Sequence, residues 1–180
     1  MNGKVDRKSE CDAYWNEEEL YEVVKSTMVG TVYYAAVKAL VRGLVTDGKD
    51  LEPIPEQEQE TFGVVMLTSV NSKDYFNFSY KVIDETMGPC DTRCPESILK
   101  LLSPTDNEYA NNWRKRCHEI NMRDKELKKL PMGTEIKVKR GDEETNYIKE
   151  KYNGRTLWIN WNIRKYVTNS RLLYLDYEIV

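Results

Sequence analysis

Four cysteines and one histidine are the side chains of this sequence best suited to metal binding or nucleophilic chemistry. Three residues separate Cys90 from Cys94, and Cys117 precedes His118, which falls within the loose spacing range of structural zinc sites. A second closely spaced ligand pair is missing, so reduced, half-buried thiols are the alternative interpretation. We therefore predict neither a metal site nor another cofactor.

His118 is also the one candidate histidine for acid–base catalysis, because the 180 residues contain no other. Most hydrolytic and nucleophilic mechanisms use histidine as the base. A Cys–His pair would need Cys11, Cys90 or Cys94 beside it, which the sequence neither supports nor excludes. No P-loop, other phosphate-binding glycine motif or HExxH motif occurs. We predict a binding protein and not an enzyme.

Carboxylates are concentrated in the N-terminal third, where residues 1–62 carry 13 acidic and 7 basic side chains. Carboxylates spaced like successive phosphates compete for a basic nucleic-acid-binding cleft, because they offer oxyanions to the same arginines and lysines. A solvated, solubilising surface is the alternative. The predicted acidic face for partner binding comprises Glu17, Glu18, Glu19, Glu22, Asp84 and Glu85.

Cations are concentrated at the other end, where residues 104–180 carry 16 basic and 12 acidic side chains. These cations could bind the successive phosphates of a nucleic-acid backbone, and Trp158 and Trp161, nearby in sequence, could stack on its bases. A solvated helix face is the alternative, since the helix dipole favours cations near a C-terminus. The predicted basic face for nucleic acid or a partner comprises Arg114, Lys115, Arg116, Lys137, Lys139 and Arg140.

The composition excludes several classes of protein. With 40% hydrophobic residues and 12 tyrosines, the chain is too apolar and too aromatic to be disordered. A net charge of −3 argues against a uniformly basic nucleic-acid binder. Because no apolar run approaches about 18 residues and no signal peptide is recognisable, we expect no membrane association and an intracellular location.

The N-terminal part predicts an antiparallel sheet flanked by helices. Ser9, with Asp12 three residues later, resembles a helix capping box, which indicates a short acidic helix over 10–19. Residues 20–44 fit helical and strand patterns alike, and we assign them to strands broken at Gly30. Residues 62–70 are apolar on both faces, as a central strand requires, and 75–80 alternate like a strand at its side.

Two helices and a small β-rich lobe are predicted to follow. Pro95 can open a first helix with Ile98, Leu99, Leu101 and Leu102 on its buried face. Thr105 begins a capping box for a long basic helix that ends at Pro131.

Short β-like runs cover 136–139, 146–152, 156–161 and 172–179, with turns at 140–142 and at Asn153-Gly154. Trp158 and Trp161 lie on opposite faces of one such strand, so we expect at most one of them in the core. The predicted fold class is α+β, with an α+β domain over 1–130 and a partly closed, barrel-like β-lobe over 131–180.

The central segments, taken together, resemble a family of small proteins carried by phages and mobile elements of anaerobic gut bacteria. The resemblance covers residues 1–130. It rests on MVGTVYYAAV (28–37), FGVVMLT (62–68), DYFNFSYK (74–81), DETMGP (84–89), Cys94-Pro95 and SPTDNE (103–108). The size and the mobile-element setting also resemble the anti-CRISPR proteins, the phage-borne inhibitors of type II-A CRISPR effector nucleases.

This resemblance implies evasion of host defence by protein–protein binding in the cytoplasm of the bacterial host. The chain would bind a guide-loaded type II effector nuclease and block target-DNA binding or cleavage. Such nucleases read DNA with arginines and hold nucleic acid in a positive channel, which a carboxylate-rich face can occupy. A nucleic-acid-binding accessory protein of a phage or mobile element, in direct contact with DNA or RNA, is the alternative function.

Overall fold

The structure, a computed structural model, describes residues 6–42, 51–68, 78–82 and 91–180, with the backbone alone at Glu18 and at 78–82. The chain forms two compact units, Met1–His118 and Glu119–Val180. The predicted division lay at 130/131. The second unit starts earlier because Ile120, Leu127 and Leu130 pack into its core.

The first unit is built on a four-stranded antiparallel sheet. Its strands are β1 (Tyr21–Val29), β2 (Val32–Ala39), β5 (Thr61–Thr68) and β6 (Phe78–Val82), in the order β1-β2-β5-β6. Two short strands, β3 (Val41–Arg42) and β4 (Glu52–Pro53), pair with each other. The predicted break at Gly30 is confirmed: Gly30 has φ 65° in the turn that joins β1 to β2.

Helices cover both faces of this sheet. Helix α1 (Arg7–Asn16) places Cys11 and Trp15 against Tyr33 and its neighbours on one face. The other face, which includes Tyr34, packs on α2 (Glu96–Leu99) and on the first part of α3 (Glu108–Lys129). Burial on both sides explains why β2 and β5 are almost continuously apolar, and it confirms the predicted central strand.

The start of α1 differs from the prediction. Asp6, not Ser9, caps this helix, and its carboxylate accepts hydrogen bonds from the backbone N–H groups of Lys8 and Ser9. The Ser9 hydroxyl donates to the same carboxylate at 2.7 Å. An aspartate three residues upstream therefore satisfies the free N–H groups better than the serine does. The helix ends at Asn16, and residues 17–19 form a separate 3₁₀ turn.

The two later helices follow the sequence with local corrections. Pro95 precedes α2 as predicted, and Ile98 and Leu99 are buried. Leu102 is partly buried against the same cluster, whereas Leu101 is exposed. Asn107, rather than Thr105, caps α3, because its side-chain oxygen accepts from the Ala110 N–H at 2.9 Å. Helix α3 ends just before Pro131, as predicted.

The second unit is a five-stranded antiparallel sheet. Its strands are β7 (Glu135–Arg140), β8 (Glu143–Tyr152), β9 (Arg155–Asn160), β10 (Lys165–Val167) and β11 (Asp176–Ile179), in the order β10-β9-β8-β7-β11. We call the face that packs on residues 120–130 the inner face, and the opposite one the outer face. Trp158, fully buried at the centre of the inner face, donates its Nε1–H to Asn169 Oδ1 at 2.7 Å.

Three features of this unit differ from expectation or go beyond it. Residues 172–179 are not one strand. Thr168 caps a short helix, α4 (Asn169–Leu172), and both Leu172 and Leu173 are buried before β11 begins. Strand β10 was not predicted. Over the fully described residues 119–180, β10 and β11 are unpaired edges of an open sheet. The predicted α+β class with antiparallel sheets is confirmed, and the barrel-like closure is not.

A buried lysine joins the sheet to the end of α3. Lys149 on the inner face is only 3% exposed, and burial lowers its pKa. Its Nζ donates to the backbone oxygens of Leu127 at 2.8 Å, Lys128 at 3.3 Å and Leu130 at 2.6 Å. These carbonyls are the ones that a helix C-terminus leaves without partners, and a cation is favoured there.

Candidate anion-binding site

A basic recess lies in the second unit, between the end of β7 and strand β10. Its volume is about 360 Å³. Four cationic residues line it, namely Arg140, Arg164, Lys165 and Arg171, together with Tyr147, Tyr166 and Val167. We call this recess the basic pocket. None of its described lining residues is acidic.

Separate local structures position the four cations. Arg140 ends β7 beside the β7–β8 turn, where Gly141 has φ 59°. Lys165 begins β10 and shares the inner face with Val167, and Arg171 lies in α4. Tyr147 and Val167, both buried, form the floor. The pocket therefore lies where the inner face of the sheet reaches its open edge.

Arg164 occupies an unusual backbone conformation. Its φ is 51°, in the left-handed region that residues other than Gly, Asn and Asp rarely adopt. The residue closes the 161–164 turn, in which its N–H donates to the Trp161 oxygen at 3.4 Å. Strain of this kind persists where the surrounding structure enforces it, often at binding sites.

The positive charge of the basic pocket is not neutralised internally. None of its four cations forms an ion pair with a carboxylate among the described residues. Three of the four are arginines, whose planar guanidinium groups bind phosphate or carboxylate oxygens in pairs. The arrangement can hold one or more oxyanions.

Two cations of the predicted basic face are neutralised instead. Lys137 and Lys139, on the outer face of β7, lie 3.3–3.8 Å from Glu144 and Glu178 on the adjacent strands. The hydrogen bond with Glu144 and the two negative charges raise the pKa of Lys137. Arg140 projects to the other face of the same strand, where Glu143 is its cross-strand neighbour, and it forms no ion pair with a described carboxylate.

The other three residues of the predicted basic face belong to the first unit. Arg114 is half-buried and donates to the Ser103 oxygen at 2.6 Å, and burial lowers its pKa. Its side chain is therefore committed to the protein interior. Lys115 and Arg116 are exposed on α3. The structure thus assigns the predicted cations three different roles: buried, neutralised and available.

The predicted acidic face is described in part. Glu17 and Glu19 lie in the 3₁₀ turn after α1, Glu22 lies near the start of β1, and all three are exposed. They form no ion pair within the described ranges. Of Glu18 only the backbone is described, and Asp84 and Glu85 fall outside the described residues.

The cysteines and the histidine are not brought together as a site. Cys11 lies on the α1 face of the first sheet, whereas Cys94 and Cys117 lie in the cluster on the opposite face. All three thiols are buried, and burial raises the pKa of Cys11 to about 11. His118 is exposed and lies 2.7 Å from Glu96. Within the described residues, no group of three or more His, Cys, Asp and Glu side chains could hold a metal ion. Cys90 falls outside those residues.

Titratable groups in the first unit serve internal contacts. Asp91 accepts a hydrogen bond from the Tyr34 hydroxyl. The Arg93 side chain also donates to it, at 2.8–3.1 Å. Burial alone would raise the pKa of Asp91, but these hydrogen bonds outweigh it and hold the pKa below its ordinary value. The same balance lowers the pKa of Asp12, which accepts from Lys8 and Tyr33.

Sequence reasoning missed most of the basic pocket. Of its four cations it selected Arg140 alone, although the run Arg164-Lys165-Tyr166 interleaves cations with an aromatic residue. Strand β10 has only three residues, too few for a recognisable alternation.

Comparisons of this chain with protein-family models, with curated proteins and with solved structures find no match. In the described part of the chain, no helix is both long enough and apolar enough to cross a membrane.

Proposed function

We propose that this chain is a nucleic-acid-binding protein that holds the phosphate backbone in the basic pocket of residues 119–180. The observation that carries the proposal is the pocket itself: four cations around one recess, without a carboxylate in its lining. Phosphate contacts by arginine and lysine supply most of the affinity of sequence-independent nucleic-acid binding. This is the accessory-protein function predicted as the alternative from the sequence.

The distribution of charge within the second unit supports this choice. Residues 119–180 carry 13 basic and 10 acidic side chains, a modest excess. The ion pairs of Lys137 and Lys139 use carboxylates on the outer face, away from the basic pocket. A small net charge is thereby concentrated around the basic pocket, where it can attract a polyanion.

A partly closed barrel stays a prediction for this sheet.

The test is a fluorescence-anisotropy titration of labelled DNA and RNA with the full chain, from about 50 to 200 mM salt. Arg140→Gln/Arg171→Gln should weaken binding by about 10- to 60-fold near 0.1 M salt. It should also reduce the slope of log affinity against log salt by about 1.4 to 1.8. Lys137→Gln/Lys139→Gln removes the same charge from neutralised positions and is the matched control, for which we expect less than about a twofold change. Equal losses for both variants would contradict the proposal.

Inhibition of a guide-loaded type II CRISPR effector nuclease is the second proposed function. Three exposed carboxylates, Glu17, Glu19 and Glu22, favour it, because they have no cation partner in the described structure and could occupy a nuclease's basic cleft. In this function the chain acts in the cytoplasm of a bacterial host, against a nuclease carrying guide RNA.

A DNA-cleavage assay with the guide-loaded nuclease tests this second function. Inhibition near stoichiometric ratios should weaken when the three glutamates are replaced by glutamine. Glu119→Gln/Glu126→Gln/Glu135→Gln, an equal charge change at exposed positions of the second unit, is the control. Full cleavage at a large excess of the unmodified chain would reject inhibition of that nuclease.

A further inference from the structure

The outer face of the second unit's sheet carries three exposed aromatic side chains beside the basic pocket. They are Tyr152, Trp161 and Tyr166, which we call the aromatic face. Tyr166 is 65% exposed and Trp161 is 53% exposed. Large aromatic rings left in water at neighbouring positions are typical of binding surfaces.

Specific contacts hold Trp161 on this face. Its Nε1–H donates to Glu150 Oε2 at 2.9 Å, and its ring meets the ring of Tyr152 edge-on, with centroids 5.8 Å apart. Tyr166 pairs across the strands with Ile159, which is buried. The aromatic face therefore combines a Tyr152–Trp161 pair held by specific contacts with an exposed Tyr166 beside a buried apolar residue.

Cations flank these rings along the chain. Arg164 and Lys165, both of which line the basic pocket, immediately precede Tyr166. Exposed Arg155 is the cross-strand partner of Tyr152. Rings with cations nearby, Arg155 on the same face and Arg164 and Lys165 at the sheet edge, are complementary to a partner that combines flat π-systems with anions. An apolar protein surface does not offer that combination.

We propose that this unit binds single-stranded nucleic acid, with phosphates in the basic pocket and unpaired bases stacked on the aromatic face. The proposal rests on the nucleic-acid-binding function above and adds the class of ligand. Strand β10 is the sheet edge, so Lys165 and Tyr166 project to its two sides. A single strand crossing this edge reaches both. A duplex keeps its bases stacked on one another and cannot offer them to protein rings.

The experiment compares two fluorescein-labelled probes, an oligothymidylate of about 12 nucleotides and a duplex with the same number of phosphates. Trp161→Leu and Tyr166→Leu should each weaken binding of the single strand by about 5- to 160-fold, the range for loss of one base stack. Binding of the duplex should stay unchanged in Trp161→Leu, because Trp161 is not in the lining of the basic pocket. Tyr166 also lines that pocket, so Tyr166→Leu should weaken binding of the single strand more than binding of the duplex. Tyr174→Leu removes a similarly exposed aromatic residue outside this face and is the matched control. Thermal unfolding of each variant shows whether the fold is retained, and Tyr166→Leu leaves the Trp161–Glu150 hydrogen bond intact.

Each outcome separates this inference from the function on which it rests. If both probes bind equally well and the leucine variants match the unmodified chain, while Arg140→Gln/Arg171→Gln still weakens binding, the stacking inference is wrong and phosphate binding stands. If neither probe binds, both proposals fail. If the leucine variants lose only nuclease inhibition, the aromatic face docks a protein and the single-strand proposal is overturned.

Discussion

The two faces of the five-stranded sheet in residues 119–180 differ in how their positive charge is used. On the outer face of β7, Lys137 and Lys139 lie 3.3–3.8 Å from two glutamates. On the inner side, four cations, among them Arg140 at the end of the same strand, surround a recess of about 360 Å³ with no carboxylate among its described lining residues. Both regions are basic in sequence, but only the second keeps its charge for a partner. Pairing, rather than the number of lysines, decides where a polyanion can bind.

Lys149, in the central strand β8, shows a third role of positive charge, which is to stabilise the fold. Lys149→Met removes the donor to three backbone oxygens at the end of α3. We expect the free energy of unfolding of the second unit to fall by about 2–4 kcal/mol, because buried acceptors lose their partner. Urea unfolding followed by tryptophan fluorescence measures this loss. Lys151→Met, at an exposed position two residues along the same strand, should cost little. Equal stability of both variants would show that the hydrogen bonds of Lys149 do not stabilise the second unit.

The same distinction applies to Asp91 in the first unit, a carboxylate that is fully paired. Asp91→Asn weakens its hydrogen bonds with Arg93 and Tyr34, and we expect a loss of about 1–3 kcal/mol at neutral pH.

The sign of the pH dependence follows from the lowered pKa of Asp91. A carboxyl whose pKa is lower in the folded state stabilises the protein above its unfolded pKa, near 3.9, and this stability is lost as the pH falls through the folded pKa. Unfolding measured between about pH 5 and pH 2 should therefore depend less on pH in Asp91→Asn than in the unmodified chain. Exposed Asp106→Asn is the control. A steeper acid dependence in Asp91→Asn would contradict this assignment.

The paired lysines on the outer face can be made available by removing their carboxylate partners. Glu144→Gln/Glu178→Gln frees Lys137 and Lys139, so we expect DNA affinity near 0.1 M salt to rise by about fivefold. The thermal midpoint should barely change, because exposed ion pairs contribute little to stability. Glu119→Gln/Glu126→Gln makes the same charge change without freeing a paired lysine. If both variants gain affinity equally, net charge and not pairing governs binding.

A change of affinity of the same size, in the opposite direction, is expected at Arg164. Arg164→Asn should increase stability by at most about 1 kcal/mol, because asparagine tolerates a left-handed φ. Asn153 already adopts this conformation, with φ 48°. The affinity for DNA should fall by about fivefold near 0.1 M salt, through loss of one phosphate contact. Arg164→Gln should lose the same affinity without the gain in stability. A stability gain for glutamine as well would show that the backbone conformation is not the cause.

The fold could be predicted where the signal is local. Gly30 and Asn153-Gly154 mark turns with positive φ, and the uniformly apolar β2 and β5 indicate a buried central pair. Helix caps were less predictable, because Asp6 and Asn107 compete with nearby Ser9 and Thr105 for the same role. The choice depends on which side chain reaches the free N–H groups.

The site was less predictable than the fold, since its contacts join distant parts of the chain. Glu178 lies 39 residues from Lys139, and no local pattern reveals their pairing. The pocket likewise joins Arg140 at a hairpin to Arg171 in α4, a helix that was not predicted and whose last residue, Leu172, was expected to begin a strand.

The sequence by itself determined the α+β class, the positions of most strands along the chain and the concentration of cations in the C-terminal part. These properties follow from alternation, turn residues and composition, which act over a few positions. Only the tertiary structure decided which cations are buried, neutralised or available. A charge is neutralised by whatever lies within about 4 Å of it in space, and in an antiparallel sheet those neighbours come from other strands.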